Sequence, residues 1–192
     1  MSSTKDIILN CARDQFLSDG YKGLSMRRIA AKADISATAI YRHFSNKEEL
    51  FHCVLEKGFN TYTRYLTPAL DASTAKERFR KTLAYTLAFV LEHPRYFELI
   101  FVRSDTKDQL VHHDELRTRS KMSFDFYTAR IRECMDEGYL KQDDPSELSV
   151  LLLATFTGFF SLYTSGVLPR SQGEIEALFW RTTERILTGI AA

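Results

Sequence analysis

Cysteine, proline and glycine are all scarce in this 192-residue chain, at 3, 4 and 8 residues, and there is one tryptophan. Cys11, Cys53 and Cys134 lie far apart and form no CxxC pair, which excludes a disulfide framework and a zinc site. Each is expected to be a small apolar filler on a helix. So little Pro and Gly excludes collagen-like and low-complexity chains, and 44% hydrophobic with 27% charged residues excludes a disordered one. The chain has no glycine-rich phosphate loop, no Ser/His/Asp or Cys/His arrangement and no paired carboxylates, so neither catalysis nor a cofactor is expected. His112-His113, flanked by Asp108, Asp114 and Glu115, invites a metal reading, but neighbours on a helix point about 100° apart and no metal site is expected. The most apolar stretch, Leu148 to Tyr163, is interrupted by Ser149, Thr155 and Thr157 and is shorter than the roughly 20 residues that span a bilayer. MSSTKDIILN has no basic start leading into an apolar run, so a cytoplasmic protein with no membrane partner is expected. A surplus of one charge is also missing: 26 Lys+Arg stand against 25 Asp+Glu, a net +1. Spread evenly, that balance would argue against a nucleic-acid partner.

Helical spacing with start and stop signals is what recurs along the chain. A first helix is predicted from Thr4 to Ser18, with Ile8, Ala12 and Phe16 on one face and Asp19-Gly20 as its stop. Ser25 caps a short second helix carrying Met26, Ile29, Ala30 and Ala33, which Asp34-Ile35 breaks. Ser36 caps a third, running through Phe44 with Ile40 and Phe44 buried. Ser45 and Glu48 read as a capping box opening a long fourth helix that Pro68 ends. Thr74 and Glu77 open a helix to Glu92, and His93-Pro94 starts a short one. A long helix stops at Gly138, Asp144-Pro145 opens another to Ser165, and Ser171 with Glu174 opens the last, ending near Gly189. The predicted fold class is all-α, with about nine helices. A reader domain over 1–48, its motif at 25–44, would precede a helical domain over 49–192.

The charge is not spread evenly. From Gly20 to Lys47, Lys22, Arg27, Arg28, Lys32, Arg42 and Lys47 face the single acid Asp34, a net +5 that leaves −4 for the rest. Two short helices joined by a tight turn and packed on a longer one outline a helix-turn-helix. Ser36, Ala37 and Thr38 are small enough for close approach to a major groove, and Tyr41, Arg42 and His43 follow as donors.

These residues carry a resemblance. ARDQFLSDGYKG and LSMRRIAAKADISATAIYRHFSNKEELF are similar to the TetR-type helix-turn-helix over about residues 5–60. Leu24-Ser25 opens the second helix, Ile29-Ala30 packs it, and Tyr41-Arg42-His43-Phe44 precedes Lys47-Glu48-Glu49-Leu50 in register. The resemblance implies a transcriptional regulator, a ligand-responsive repressor acting as a homodimer on near-palindromic double-stranded DNA. It implies phosphate contacts from Ser25, Ser36, Thr38, Tyr41, His43 and Lys47, and places Arg28, Ala37, Thr38 and Arg42 nearest base edges. Arg27 is a further DNA-binding candidate, with solvated surface charge as its alternative. Asp34 stands where the family usually has Gly, and Ala37 where Lys is frequent. A helical small-molecule-binding protein with weak DNA affinity is therefore the alternative.

Beyond residue 60 the resemblance is diffuse. Aromatics are dense between Phe59 and Met135, and most must be core. The family places an effector pocket among the middle helices, which makes Phe89, Phe101, Phe124, Tyr127 and Phe156 lining candidates for a largely apolar or aromatic effector. The helix from Ser146 is apolar on nearly every side, so it is either a buried central helix or half of an interface. Leu152, Phe156, Phe159, Phe160, Tyr163, Phe179 and Ile186 are the interface candidates, with Gly158 permitting close approach.

Overall fold

The computed structural model describes residues 3–103, 114–168 and 171–191; Asp108, His112 and His113 lie outside them. Among these residues there are nine α-helices: α1 (Thr4–Gly23), α2 (Met26–Lys32), α3 (Ala37–Ile40), α4 (Lys47–Leu66), α5 (Ala75–Glu92), α6 (Pro94–Phe97), α7 (Asp114–Asp136), α8 (Pro145–Thr164) and α9 (Gln172–Ile190). A 3-10 turn, Thr67–Asp71, follows α4 as Pro68 leads one to expect, and a π turn, Glu98–Val102, follows α6. The single β-bridge among the described residues joins Leu140 to Ala191. The fold is all-α.

Most helix ends follow the chemistry of their caps, with shifts from expectation at α2, α3, α4 and α9. Gly20, at φ +70°, interrupts α1 after Asp19. Thr74 accepts from the Glu77 N–H at 3.2 Å, and Asp144 accepts from the N–H groups of Ser146 and Glu147. At α4 the capping residue is Asn46 rather than Ser45. Its side chain accepts from the Glu49 N–H at 2.8 Å, while the Glu49 carboxylate reaches back to the Ser45 N–H at 2.6 Å. Ser171 bonds the Glu174 carboxylate instead of a backbone N–H.

The chain forms two compact units. The first comprises Met1–Asn60 with Arg95–Arg117. Its core joins Ile8, Phe16, Ile29, Ile40, Phe44, Leu50 and Leu55, all 1% exposed or less. Phe16 packs on Phe51 with centroids 4.6 Å apart, and the Arg13 guanidinium lies over the Tyr96 ring. Tyr96 comes so near α4 that a Cβ at Gly58 would sit 3.0 Å from its ring. Lys57 bonds Asp6, tying α4 to the start of α1.

The second unit comprises Thr61–Pro94 with Thr118–Ala192. Arg78 on α5 bonds Glu133 and Glu137 and also the Ala72 carbonyl, closing α5 onto α7. Thr128 and Ser149 share a buried hydrogen bond of 2.9 Å between α7 and α8. Phe160 stacks on Phe179 at 5.5 Å, and Phe156 meets the same ring at 5.4 Å. Burial pushes the Cys134 thiol up to about 12, so it is an inert filler.

α8 is long and apolar enough, by length and composition, to cross a membrane, but it has two distinct faces. Leu148, Ser149, Leu152, Phe156 and Phe160 turn inward. Four expected interface residues, Leu152, Phe156, Phe160 and Phe179, are 0–3% exposed within this one chain. The opposite face of α8 is open to solvent. There Val150, Leu151 and Leu162 are 58%, 48% and 46% exposed, beside exposed Ala154 and Gly158, while Phe159, Tyr163 and Ile186 are half-buried.

Phe160→Ala is expected to destabilise the fold by about 3–5 kcal/mol, the cost of a large core truncation, read from the urea midpoint. A second prediction concerns acid. Lys57 and Ser3, both bonded to Asp6, hold its carboxyl at about 2, below its ordinary 3.8. A lowered carboxylate adds stability that is present above its ordinary value and is lost as pH falls toward the lowered one. Asp6→Asn should therefore flatten the fall in urea midpoint between about pH 4 and pH 2.

Candidate nucleic-acid interface

Residues 25–44 form the expected two-helix unit, anchored from beneath by Met26, Ile29, Ala30, Ile40 and Phe44, all buried. The turn between α2 and α3 closes by a Schellman motif. Asp34 takes φ +54°, its N–H bonds the Ala31 carbonyl, and the Ile35 N–H bonds the Ala30 carbonyl at 3.0 Å. The same pair of bonds closes α7 at Gly138 and α8 at Gly166, both at positive φ. Asp34 thus occupies a left-handed position that the other two helices give to glycine.

The recognition helix is shorter than expected. Ser36 caps it by accepting from the Ala39 N–H at 3.0 Å, and the α-helix ends at Ile40. Tyr41, Arg42 and His43 continue in tightened turns, with Arg42 and His43 donating to the carbonyls of Ala39 and Ile40. Ser36, Ala37, Thr38, Tyr41, Arg42 and His43 are all exposed, Tyr41 to 53%. The apolar side of the segment points into the core and its polar side points out.

Two expected contacts are held by neighbours. Lys47 donates to the Lys22 carbonyl at 3.3 Å and lies 4.5 Å from the Tyr21 ring centroid. Arg28 pairs with Asp19 at 2.8 Å, and Arg27 is exposed. Ser25 precedes α2, but its side chain makes no capping bond. Its N–H instead donates to the Oε1 of Gln15 at 3.3 Å, and the Gln15 Nε2 donates to Asp19 at 3.4 Å. Gln15 is 0% exposed. This buried amide links the start of α2 to the carboxylate that holds Arg28. Sequence reasoning missed it, because a lone Gln between Asp14 and Phe16 carries no signal beyond its place beside the apolar stripe of α1.

Of the lining candidates, Phe89, Phe124, Tyr127 and Phe156 belong to the second unit. Phe101 belongs to the first unit, packed on Phe97 at 5.6 Å. Phe156 belongs to the α8–α9 core, and Phe124 is half-buried. Phe89 and Tyr127 are linked through Tyr62. The Tyr62 ring lies 4.9 Å from Phe89, and its hydroxyl donates to that of Tyr127 at 3.1 Å. Thr86 also bonds Tyr127. Burial raises both tyrosines above their ordinary value, Tyr127 furthest, so both stay neutral donors.

Comparison with known proteins now adds to this geometry. Residues 8–54 match the family described as bacterial regulatory proteins, tetR family. Residues 79–186, more than half of the chain, match the tetracyclin repressor-like C-terminal domain. The chain belongs to the TetR family. It is 25% identical over 179 residues to the transcriptional repressor AcnR of Corynebacterium efficiens, covering 90% of this chain and 88% of that one. Its fold superposes on the ketosteroid transcriptional regulator KstR2 of Mycobacterium tuberculosis with a TM-score of 0.82 at 19% identity, covering 100% and 97% of the two chains. It also superposes on AibR, solved with isovaleryl coenzyme A and operator DNA, with a TM-score of 0.73 at 18% identity over 98% of each. This TetR-family chain is a DNA-binding transcriptional regulator.

Asp34→Gly is expected to stabilise the protein by about 0.5–1 kcal/mol, because glycine enters the left-handed region without a Cβ penalty. Gln15→Leu is expected to cost about 1–3 kcal/mol, since it strips the Ser25 N–H of its acceptor. Urea midpoints against the parent chain measure both.

Proposed function

We propose that this regulator is a ligand-responsive repressor that binds a near-palindromic operator as a homodimer in the cytoplasm. The observation that carries the reading is the outward row Thr38, Tyr41, Arg42 and His43, set on a buried Ile40–Phe44 base within the basic segment. Thr38 and Arg42 lie nearest base edges with Arg28 and Ala37. Ser25, Ser36, Tyr41, His43 and Lys47 take phosphates, and Arg27 adds charge.

The outward face of α8 supports the homodimer. Val150, Leu151 and Leu162 form an apolar strip, and small Ala154 and Gly158 let a second helix approach. Two recognition helices would then enter successive major grooves, roughly 34–36 Å apart. The repressor role of AcnR supports the sign of control. The ketosteroid named for KstR2 and the isovaleryl group of the coenzyme A ester held by AibR support an effector with an apolar portion, with the Tyr62–Thr86–Tyr127 hydroxyls as its polar anchor. An effector must bind one conformation better than the other to change the spacing.

Selection of bound fragments from genomic DNA identifies the operator. On it, Arg42→Ala combined with Lys47→Ala is expected to weaken binding and to reduce the slope of log affinity against log salt by about one for each phosphate contact removed. Unaltered affinity and slope would overturn the reader assignment. Leu151→Glu combined with Leu162→Glu, both outside the chain's own core, is expected to convert dimer to monomer in sedimentation. A dimer that survives both charges would overturn the α8 interface.

A further inference from the structure

Between α5 and α9 in the second unit lies a half-open cavity of about 260 Å³, lined by Ala84, Leu87, Ala88, Leu91 and Glu92 of α5 and by Gln172, Glu176 and Trp180 of α9. On α5, positions 80, 84, 88 and 92 step by four and share one face, as do 172, 176, 180 and 184 on α9. At one end of these rows Arg80 pairs with Glu184 at 2.6 Å and covers the Trp180 ring at 5.2 Å. There the charge is balanced and the gap is filled. Further along, Ala84 and Ala88 put methyl groups where longer side chains would close the space, and the cavity opens.

Glu92 and Glu176 both line the cavity, and no Lys or Arg is among the described lining residues. Glu92 accepts from the Tyr65 hydroxyl through one carboxylate oxygen, and Glu176 accepts from the Gln172 amide at 2.8 Å through one. In each, the described hydrogen bond engages one of the two carboxylate oxygens. The floor is apolar, from Leu87, Leu91 and the two alanines, and one wall is an indole. The volume falls just below the roughly 300–1,000 Å³ of sites for drug-sized ligands.

We propose that this cleft binds a small organic cation: an amine whose ammonium group sits between Glu92 and Glu176 and whose apolar body lies over Ala84 and Ala88 beside Trp180. The ammonium supplies at one end of the rows what Arg80 supplies at the other. Its N–H groups make charge-assisted bonds to the carboxylates, and the indole and the alanines take the apolar body. The site uses none of the Tyr62–Thr86–Tyr127 hydroxyls, so it does not rest on the effector reading above.

Trp180 is the single tryptophan of the chain, so its emission reports the cleft directly. Titrating the full-length protein with phenethylammonium is expected to give a saturable change in emission. Its midpoint should lie at least about tenfold below that of neutral phenethyl alcohol, and phenylacetate should give no saturable change. Glu176→Gln and Glu92→Gln should each raise the amine midpoint by about tenfold. Ala88→Leu should abolish the response by filling the space, with circular dichroism unchanged. Equal midpoints for amine and alcohol would overturn the proposal, as would no saturable response or an amine midpoint unmoved by all three substitutions. Should a substitution prevent folding, the ratio of amine to alcohol in the parent chain decides.

Discussion

A helix in a small protein can turn only one side inward, and whatever lies on its other side must be answered by something else. α3 commits Ile40, and the turn after it Phe44, to the core of the first unit, leaving Thr38, Tyr41, Arg42 and His43 outside. α8 commits Leu148, Leu152, Phe156 and Phe160, and its outer face is nearly as apolar as its inner one. The first outer face is polar and cationic and suits a polyanion. The second is apolar and carries small residues, so burying it removes surface from water. The difference in partner follows from residue type at equivalent helical phase.

Charge placement works with this geometry. The +1 total hides a +5 reader set against −4 in the rest of the chain, and the structure spends part of that reader charge internally. Arg28 is paired with Asp19, and Lys47 is bonded to the Lys22 carbonyl. Asp34, already counted in that +5, sits at the turn between the two helices. A reader built this way has modest reach for phosphate in general, because non-specific affinity grows with the number of unengaged cations. Discrimination then rests more on shape and, in the proposed homodimer, on the spacing of two readers.

Elements whose signals are local were legible in the sequence. The stop at Gly20, the caps at Ser36, Thr74 and Asp144, and the left-handed Asp34 all depend on a few neighbouring residues and fell where those residues stand. The α4 cap moved from Ser45 to Asn46 because both can accept from a backbone N–H, and both have a glutamate three residues on. Only tertiary packing chooses between them. The interface candidates were read mostly from a helix apolar on nearly every side, where sequence alone does not say which side faces the chain's own core. Helical phase instead assigned Phe156 and Phe160 to the chain's own core and left Val150 and Leu151 outside. Which ring meets which was not legible for the lining candidates for a related reason, since composition says only that aromatics are dense in that stretch of sequence. Gln15 was illegible because its partners, the Ser25 N–H and Asp19, become neighbours only after α2 folds back on α1.

That buried amide bears on how the reader can bind DNA at all. Ordering loose cations on a phosphate backbone costs side-chain entropy, of order 0.5–1.5 kcal/mol for each long side chain immobilised. Here Gln15 fixes the Ser25 backbone and Asp19, Asp19 fixes Arg28, and Tyr21 with the Lys22 carbonyl fixes Lys47. Part of the ordering is completed on folding. The same contacts compete with DNA, however, since an Arg28 bonded to Asp19 must share or leave that carboxylate to reach a base. A guanidinium has five N–H donors and can keep a carboxylate on one edge while presenting the other. An ammonium at the same position would have to choose. In the base-edge role proposed for Arg28, the pairing therefore costs little reach while setting its direction, which is what reading a base edge requires and what neutralising a phosphate does not.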